Sequence, residues 1–210
     1  MYLNILGLHI HEIRNQCTYI EGNIKILNQS LETEARFGAF LALQGIMNSA
    51  MQISRLIWSP REKGKVRSEE LRKLMGIPEK HPLNNSDLQT VFEYCDETND
   101  DWVKNTKGQY ILYDFIGDLG KSKHKDVKIE NIFRSFDLAS KIYVYKGIGF
   151  NMDAMLAAIA SITDTVNKAH YHLFPDQWTD VDKDGKPTGN KNAPDMKKAP
   201  IKEKAKTKKE

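Results

Sequence analysis

Eight apolar residues near the start of the chain, Leu3, Leu6, Ile10, Ile13, Cys17, Ile20, Ile24 and Leu27, follow one another at steps of three and four. That spacing puts all eight on one stripe of an α-helix, with His11, Glu12, Arg14, Asn15, Glu21 and Lys25 outside it. A strand would need a period of two, which these residues do not have. The pattern therefore predicts one long helix over about residues 3–29, which can bury its stripe only against other elements.

A second helix is expected over about 32–58. Ala35, Gly38, Ala42, Gly45 and Ser49 form a stripe of small residues, while Phe37, Phe40, Leu41, Met47 and Met51 cover much of the remaining surface. Each interior glycine costs about 1 kcal/mol relative to alanine, and close approach of another helix is the natural compensation. This helix is expected either at the centre of a bundle or in a dimer interface. Residues 37–54 carry no charge, but Gln44, Asn48, Ser49, Gln52 and Ser54 make the run too polar for a membrane span. Gln44, Asn48, Gln52 and Arg55 draw a polar line that could face either solvent or a ligand.

The charged stretch 60–67 reads as a loop, with Ser68 and its two following glutamates opening a short helix that Gly76 and Pro78 end. Asn85 or Ser86 then caps a helix carrying Leu88, Val91, Phe92, Cys95, Trp102 and Val103, closed by Gly108. Residues 109–130 are irregular and 131–138 are ambiguous. Residues 141–150 (KIYVYKGIGF) alternate strand-forming side chains around a Lys-Gly turn, a hairpin signature. Asp153 opens a last helix, stopped by Pro175, with Met155, Leu156, Ile159, Ile162, Val166 and Ala169 on one side. The expected fold is mainly α: a helical bundle over 1–175 with a small β-hairpin near 141–150, then a disordered C-terminal tail over 176–210.

The formal net charge of +3 is concentrated in that tail, where residues 197–210 hold seven lysines and two glutamates. The rest of the chain nets −2, so the body offers no electrostatic footprint for a nucleic-acid duplex. The lysine-rich end could meet RNA, DNA or an anionic membrane, or act only as a solubilising tail. With no signal-like leader, the chain is expected to be cytoplasmic, without a membrane association.

Common enzyme motifs are missing, including a Gly-rich phosphate loop, a nucleophile elbow and a metalloprotease helix. Asp180, Asp182, Asp184 and Gly185 copy the start of a calcium-binding loop, but Lys191 stands where a bidentate glutamate belongs. A polar turn is the plainer account, and no metal or other cofactor is expected. His9 and His11, like His170 and His172, are two apart and diverge by about 200° on a helix, so neither pair chelates. Cys17 and Cys95 read as core residues.

The most unusual stretch is 84–102, where Glu93, Asp96, Glu97, Asp100 and Asp101 load one helix with acid. Regular helical spacing groups Gln89, Glu93 and Asp96. Leu88, Phe92, Glu93, Asp96 and Trp102 together resemble the fourth-helix signature of HEPN-type bundles, the helical domains of bacterial RNA-targeting and anti-phage systems. Ile116-Gly117, Arg134, Phe136-Asp137 and the hairpin leading into the last helix extend the resemblance over about residues 1–173. Ribonucleases of that family place an Arg four to six residues before a His, to offset phosphate charge and move a proton. Here Gln89 stands at the Arg position, Thr90 follows it, and Tyr94 stands at the His position.

The resemblance implies a homodimeric binding or regulatory module without ribonuclease activity, within a phage-defence or phage-encoded system. Gln89, Thr90, Glu93, Tyr94 and Asp96 would line its cleft. An acidic groove repels phosphate, so a protein partner is expected ahead of RNA. The alternatives are a metal-independent ribonuclease with atypical residues and an unrelated helical protein-interaction module.

Overall fold

The computed structural model describes residues 2–110, 114–178, 180, 181, 187 and 188. Six helices and a small sheet follow one another: α1 (Tyr2–Glu32), α2 (Arg36–Ile57), α3 (Glu62–Met75), α4 (Ser86–Glu93), α5 (Cys95–Thr106), β1 (Phe115–Gly117), β2 (Arg134–Asp137), β3 (Ile142–Tyr145), β4 (Ile148–Asn151) and α6 (Met152–Leu173). Among the described residues, the fold is mainly α with a small four-stranded sheet and a two-stranded ladder near the end.

The helix expected from the first eight residues is α1, and its stripe is core: Ile10, Ile13, Cys17, Ile20 and Leu27 are buried. It turns back through Glu34, in the left-handed region at φ 55°, into α2. The small stripe of α2 is the seam between the two. A Cβ on Gly38 would come within 2.5 Å of Ser30 Oγ, and one on Gly45 within 2.5 Å of Asn23 Oδ1. An added Cβ would have to push these α1 side chains aside, so the glycines mark close approach to α1, and α2 buries Phe40, Leu43, Met47, Ile53 and Ile57 on its other sides. It also packs on α3 and α4, which makes it the centre of the bundle.

Two expectations about the middle of the chain are corrected. Residues 60–67 are not a loop: α3 begins at Glu62, and Ser68 is a buried interior residue rather than its cap. Ser68 Oγ accepts from the Ser59 amide at 3.1 Å, so the hydroxyl holds the α2–α3 connection. Gly76 at φ 67° ends α3 as expected. The acid-rich helix is two helices, broken at Tyr94 with φ −103° and ψ 59°. Lys146 explains how the break is held: its ammonium donates to the Cys95 carbonyl at 2.8 Å and to Thr98 Oγ1 at 2.7 Å. The rotation leaves Cys95 exposed instead of in the core, while Trp102 remains buried and donates to the Glu130 carbonyl at 2.9 Å.

The cap of α4 is Asn85, whose Oδ1 accepts from the Leu88 amide at 2.9 Å. Asn85→Ala is expected to lower stability by about 1 kcal/mol, measurable by urea denaturation.

The sheet runs β1-β2-β3-β4, parallel at the first pair and antiparallel at the others. The hairpin is β3–β4, and its turn residues Lys146 and Gly147 sit at φ 50° and 78°, both left-handed as a two-residue turn of this kind requires. Arg134 of β2 clasps Asp114 with two bonds of 2.6 Å and lies 4.7 Å over the Phe40 ring, which seats the sheet on α2.

Beyond α6, Pro175–Trp178 forms a 3-10 turn and Trp178 is 5% exposed. The packed chain thus runs past the expected boundary at 175. A short ladder pairs Asp180–Val181 with Pro187–Thr188. Asp182, Asp184 and the lysine-rich end lie outside the described residues. Among the described residues, no helix is long and apolar enough to cross a membrane.

Candidate functional site

Gln89 and Glu93 lie one turn apart on α4 and both meet the last turns of α2. Gln89 is 8% exposed. Its Nε2 donates to Ser54 Oγ at 2.8 Å and to the Trp58 carbonyl at 3.1 Å, while Ser54 in turn donates to the Leu83 carbonyl. This chain of bonds ties the end of α2 to the segment before α4. Trp58 Cα follows the last helical residue of α2, so its carbonyl has no helical partner, and Gln89 supplies one.

Glu93 is held by two arginines. One carboxylate oxygen pairs with Arg55, and the other with Arg61 at 3.2 Å. The Arg55 side chain is 16% exposed and Glu93 21%, whereas Arg61 is 70% exposed. Burial, with Arg61 close by, lowers the Arg55 pKa from its ordinary value. A carboxylate between two guanidiniums is stabilised as an anion, which is the wrong state for a general acid.

The remaining candidates are scattered. Tyr94 is 42% exposed at the junction of α4 and α5, and Thr90 and Asp96 are exposed. Asp96 sits in the first turn of α5, beyond the break, so the grouping of Gln89, Glu93 and Asp96 expected for one continuous helix does not form. An open cleft of about 390 Å³ lies between the end of α2, α3 and the start of α4, lined in part by Trp58, Ser68, Arg72, Asn84, Ser86 and Gln89. Of the five candidate residues, only Gln89 lines it.

Sequence reasoning missed the partners. Arg55 was visible as the end of the polar line on α2, but Arg61 lay in a stretch read as loop, and nothing local points to either as a partner of Glu93. The rest of the polar line divides: Gln44 accepts from the Tyr143 hydroxyl at 3.5 Å, and Asn48 and Gln52 are exposed. Cys17 is core as expected, and burial pushes its thiol up to about 11, which makes it a poor nucleophile.

Among the described residues, no group of three or more His, Cys, Asp or Glu is placed to hold a metal. Asp180 lies in the short ladder, opposite Thr188, and its two companions in the calcium-like motif are outside the described residues. The histidines do meet, but across the fold: His11 Nδ1 lies 2.9 Å from His170 Nε2.

No protein family, curated protein or solved structure matches the chain.

Proposed function

We propose that the chain is a HEPN-like binding or regulatory module without ribonuclease activity. The observation that carries this reading is the state of the α4 side chains. Where the resemblance wants a phosphate-binding arginine there is Gln89, engaged in a buried network. Where it wants a histidine there is Tyr94, and a phenol is a poor base near neutrality compared with an imidazole. Glu93, the acid between them, is neutralised by Arg55 and Arg61. A cytoplasmic setting in a phage-defence or phage-encoded system is part of the same reading.

A homodimer completes it. Tyr19 and Ile26 on α1, seven residues apart, share one helix face, and Phe37 and Leu41 share one on α2; they are 58%, 46%, 79% and 59% exposed. Residues 37–54 contribute no charge to oppose its own copy across a two-fold axis. Burying such a surface is the main driving force a helical dimer needs.

Two measurements test the proposal. Light scattering is expected to give a mass near twice 24.1 kDa, reduced to the monomer in a Phe37→Ser, Leu41→Ser double variant. RNA incubated with the protein at high concentration in metal-free buffer is expected to stay intact. A monomeric wild type would remove the dimer, and cleavage that is lost in Tyr94→Phe would favour the atypical ribonuclease.

A further inference from the structure

Pro175–Trp178 is fastened to the bundle through a line of ring nitrogens. Trp178 Nε1 donates to His170 Nδ1 at 2.8 Å, and His170 Nε2 lies 2.9 Å from His11 Nδ1. An indole N–H can only donate, so His170 Nδ1 is the acceptor and carries no proton. The neutral ring then holds its proton on Nε2 and donates it to His11 Nδ1. One tautomer satisfies both bonds, and it leaves His170 no lone pair for a metal. The site is dry: His170 is 0% exposed and Trp178 5%. Phe174 packs 4.8 Å from the His170 ring, and the Arg14 guanidinium lies 4.4 Å over the Trp178 ring.

We propose that Trp178 is a latch on the bundle and that the buried His170–His11 pair is its catch, released when His170 takes up a proton. A proton on His170 Nδ1 would set one N–H against another and break the bond to Trp178. The new charge would also meet the like charge of the Arg14 guanidinium. From α1 the site receives Arg14 and His11, and from α6 the Tyr171 ring packs edge-on against Trp178. His9 is a separate case, its pKa lowered by burial and then by Arg67 of α3.

Burial, then Arg14 and His11, hold the His170 pKa down at about 4, against an ordinary 6.5. Release returns the ring to its ordinary value, so the released form binds a proton that the latched form does not. The latch is therefore fully held above pH 6.5 and weakens as pH falls. Release becomes about tenfold more favourable per pH unit between 6.5 and 4, about 150-fold by pH 4 and at most about 300-fold below it. What leaves the bundle is the Pro175–Trp178 turn, and what it uncovers is the His11 side of α1.

The test is solvent exchange of the Trp178 indole proton in the full chain, followed by NMR and divided by that of Trp102. Trp102 donates to the Glu130 carbonyl, an acceptor that does not titrate, so the intrinsic pH dependence of indole exchange cancels. The ratio is expected to rise about tenfold per pH unit below 6.5. His170→Gln keeps an acceptor oxygen without a titrating ring and should flatten the slope. If that variant does not fold, Trp178→Phe keeps the aromatic packing and should move the His170 ring titration up toward its ordinary value. A flat ratio in the wild type, a slope that persists in His170→Gln, or a His170 ring that titrates near 6.5 in the wild type would overturn the latch.

Discussion

Gln89→Leu is expected to destabilise the protein by about 2–3 kcal/mol, although the replacement is apolar and of similar size. The amide makes two bonds to α2, to Ser54 Oγ and the Trp58 carbonyl. Leucine removes both donors and leaves the Trp58 carbonyl buried without a partner. A net hydrogen bond contributes about 1 kcal/mol and an orphaned buried group costs about 1–3 kcal/mol. Ser54 limits the damage, because it still donates to the Leu83 carbonyl. Gln89→Arg should fare no better, since a guanidinium would have to enter the same 8%-exposed position. Urea denaturation of both variants checks this; two variants as stable as wild type would mean that the network contributes nothing.

Glu93→Ala carries the other large effect, also about 2–3 kcal/mol. Removing one partner of a fully buried ion pair costs about 3–5 kcal/mol. The 16% and 21% exposure of Arg55 and Glu93 lowers that figure, and the bond to the 70%-exposed Arg61 adds little. The loss arises because Arg55, set in a part-buried position beside Arg61, is left without a counter-charge. Thr90→Ala and Asp96→Ala should stay within about 0.5 kcal/mol, because both side chains are exposed. Equal effects at all three positions would contradict a structural role specific to Glu93.

The parts of the fold legible in the sequence are those whose signal is local. The α1 stripe has one period over its whole length, and the small stripe of α2 marks the seam with α1, where Asn23 and Ser30 lie against Gly45 and Gly38. The Lys146-Gly147 turn was readable because few residue pairs accept two positive φ angles. The start of α3 was hidden because Glu62–Arg67 is mostly charged and has no apolar stripe; its only core-facing residue there, Gly64, has no side chain to signal it. The break at Tyr94 had no local sign either, with neither Gly nor Pro nearby. It is held by Lys146, more than fifty residues later in the chain.

The candidate site was less legible for the same reason. Gln89 and Glu93 stood out by residue type, but their roles depend on Ser54, Arg55, Trp58 and Arg61, which only the fold brings to them. The histidines show it most clearly. His11 and His170 fail as members of their own i, i+2 pairs and meet instead across 159 positions of sequence.

The central claim is that Glu93 serves as a clamp between α4 and α2 rather than as a reactive acid, and a double-mutant cycle on Arg55→Ala and Glu93→Ala measures it most directly. A clamp predicts that the double variant is more stable than the sum of the single effects implies, with a coupling of about 1.5–3 kcal/mol. Single effects that add to within about 0.5 kcal/mol would contradict it.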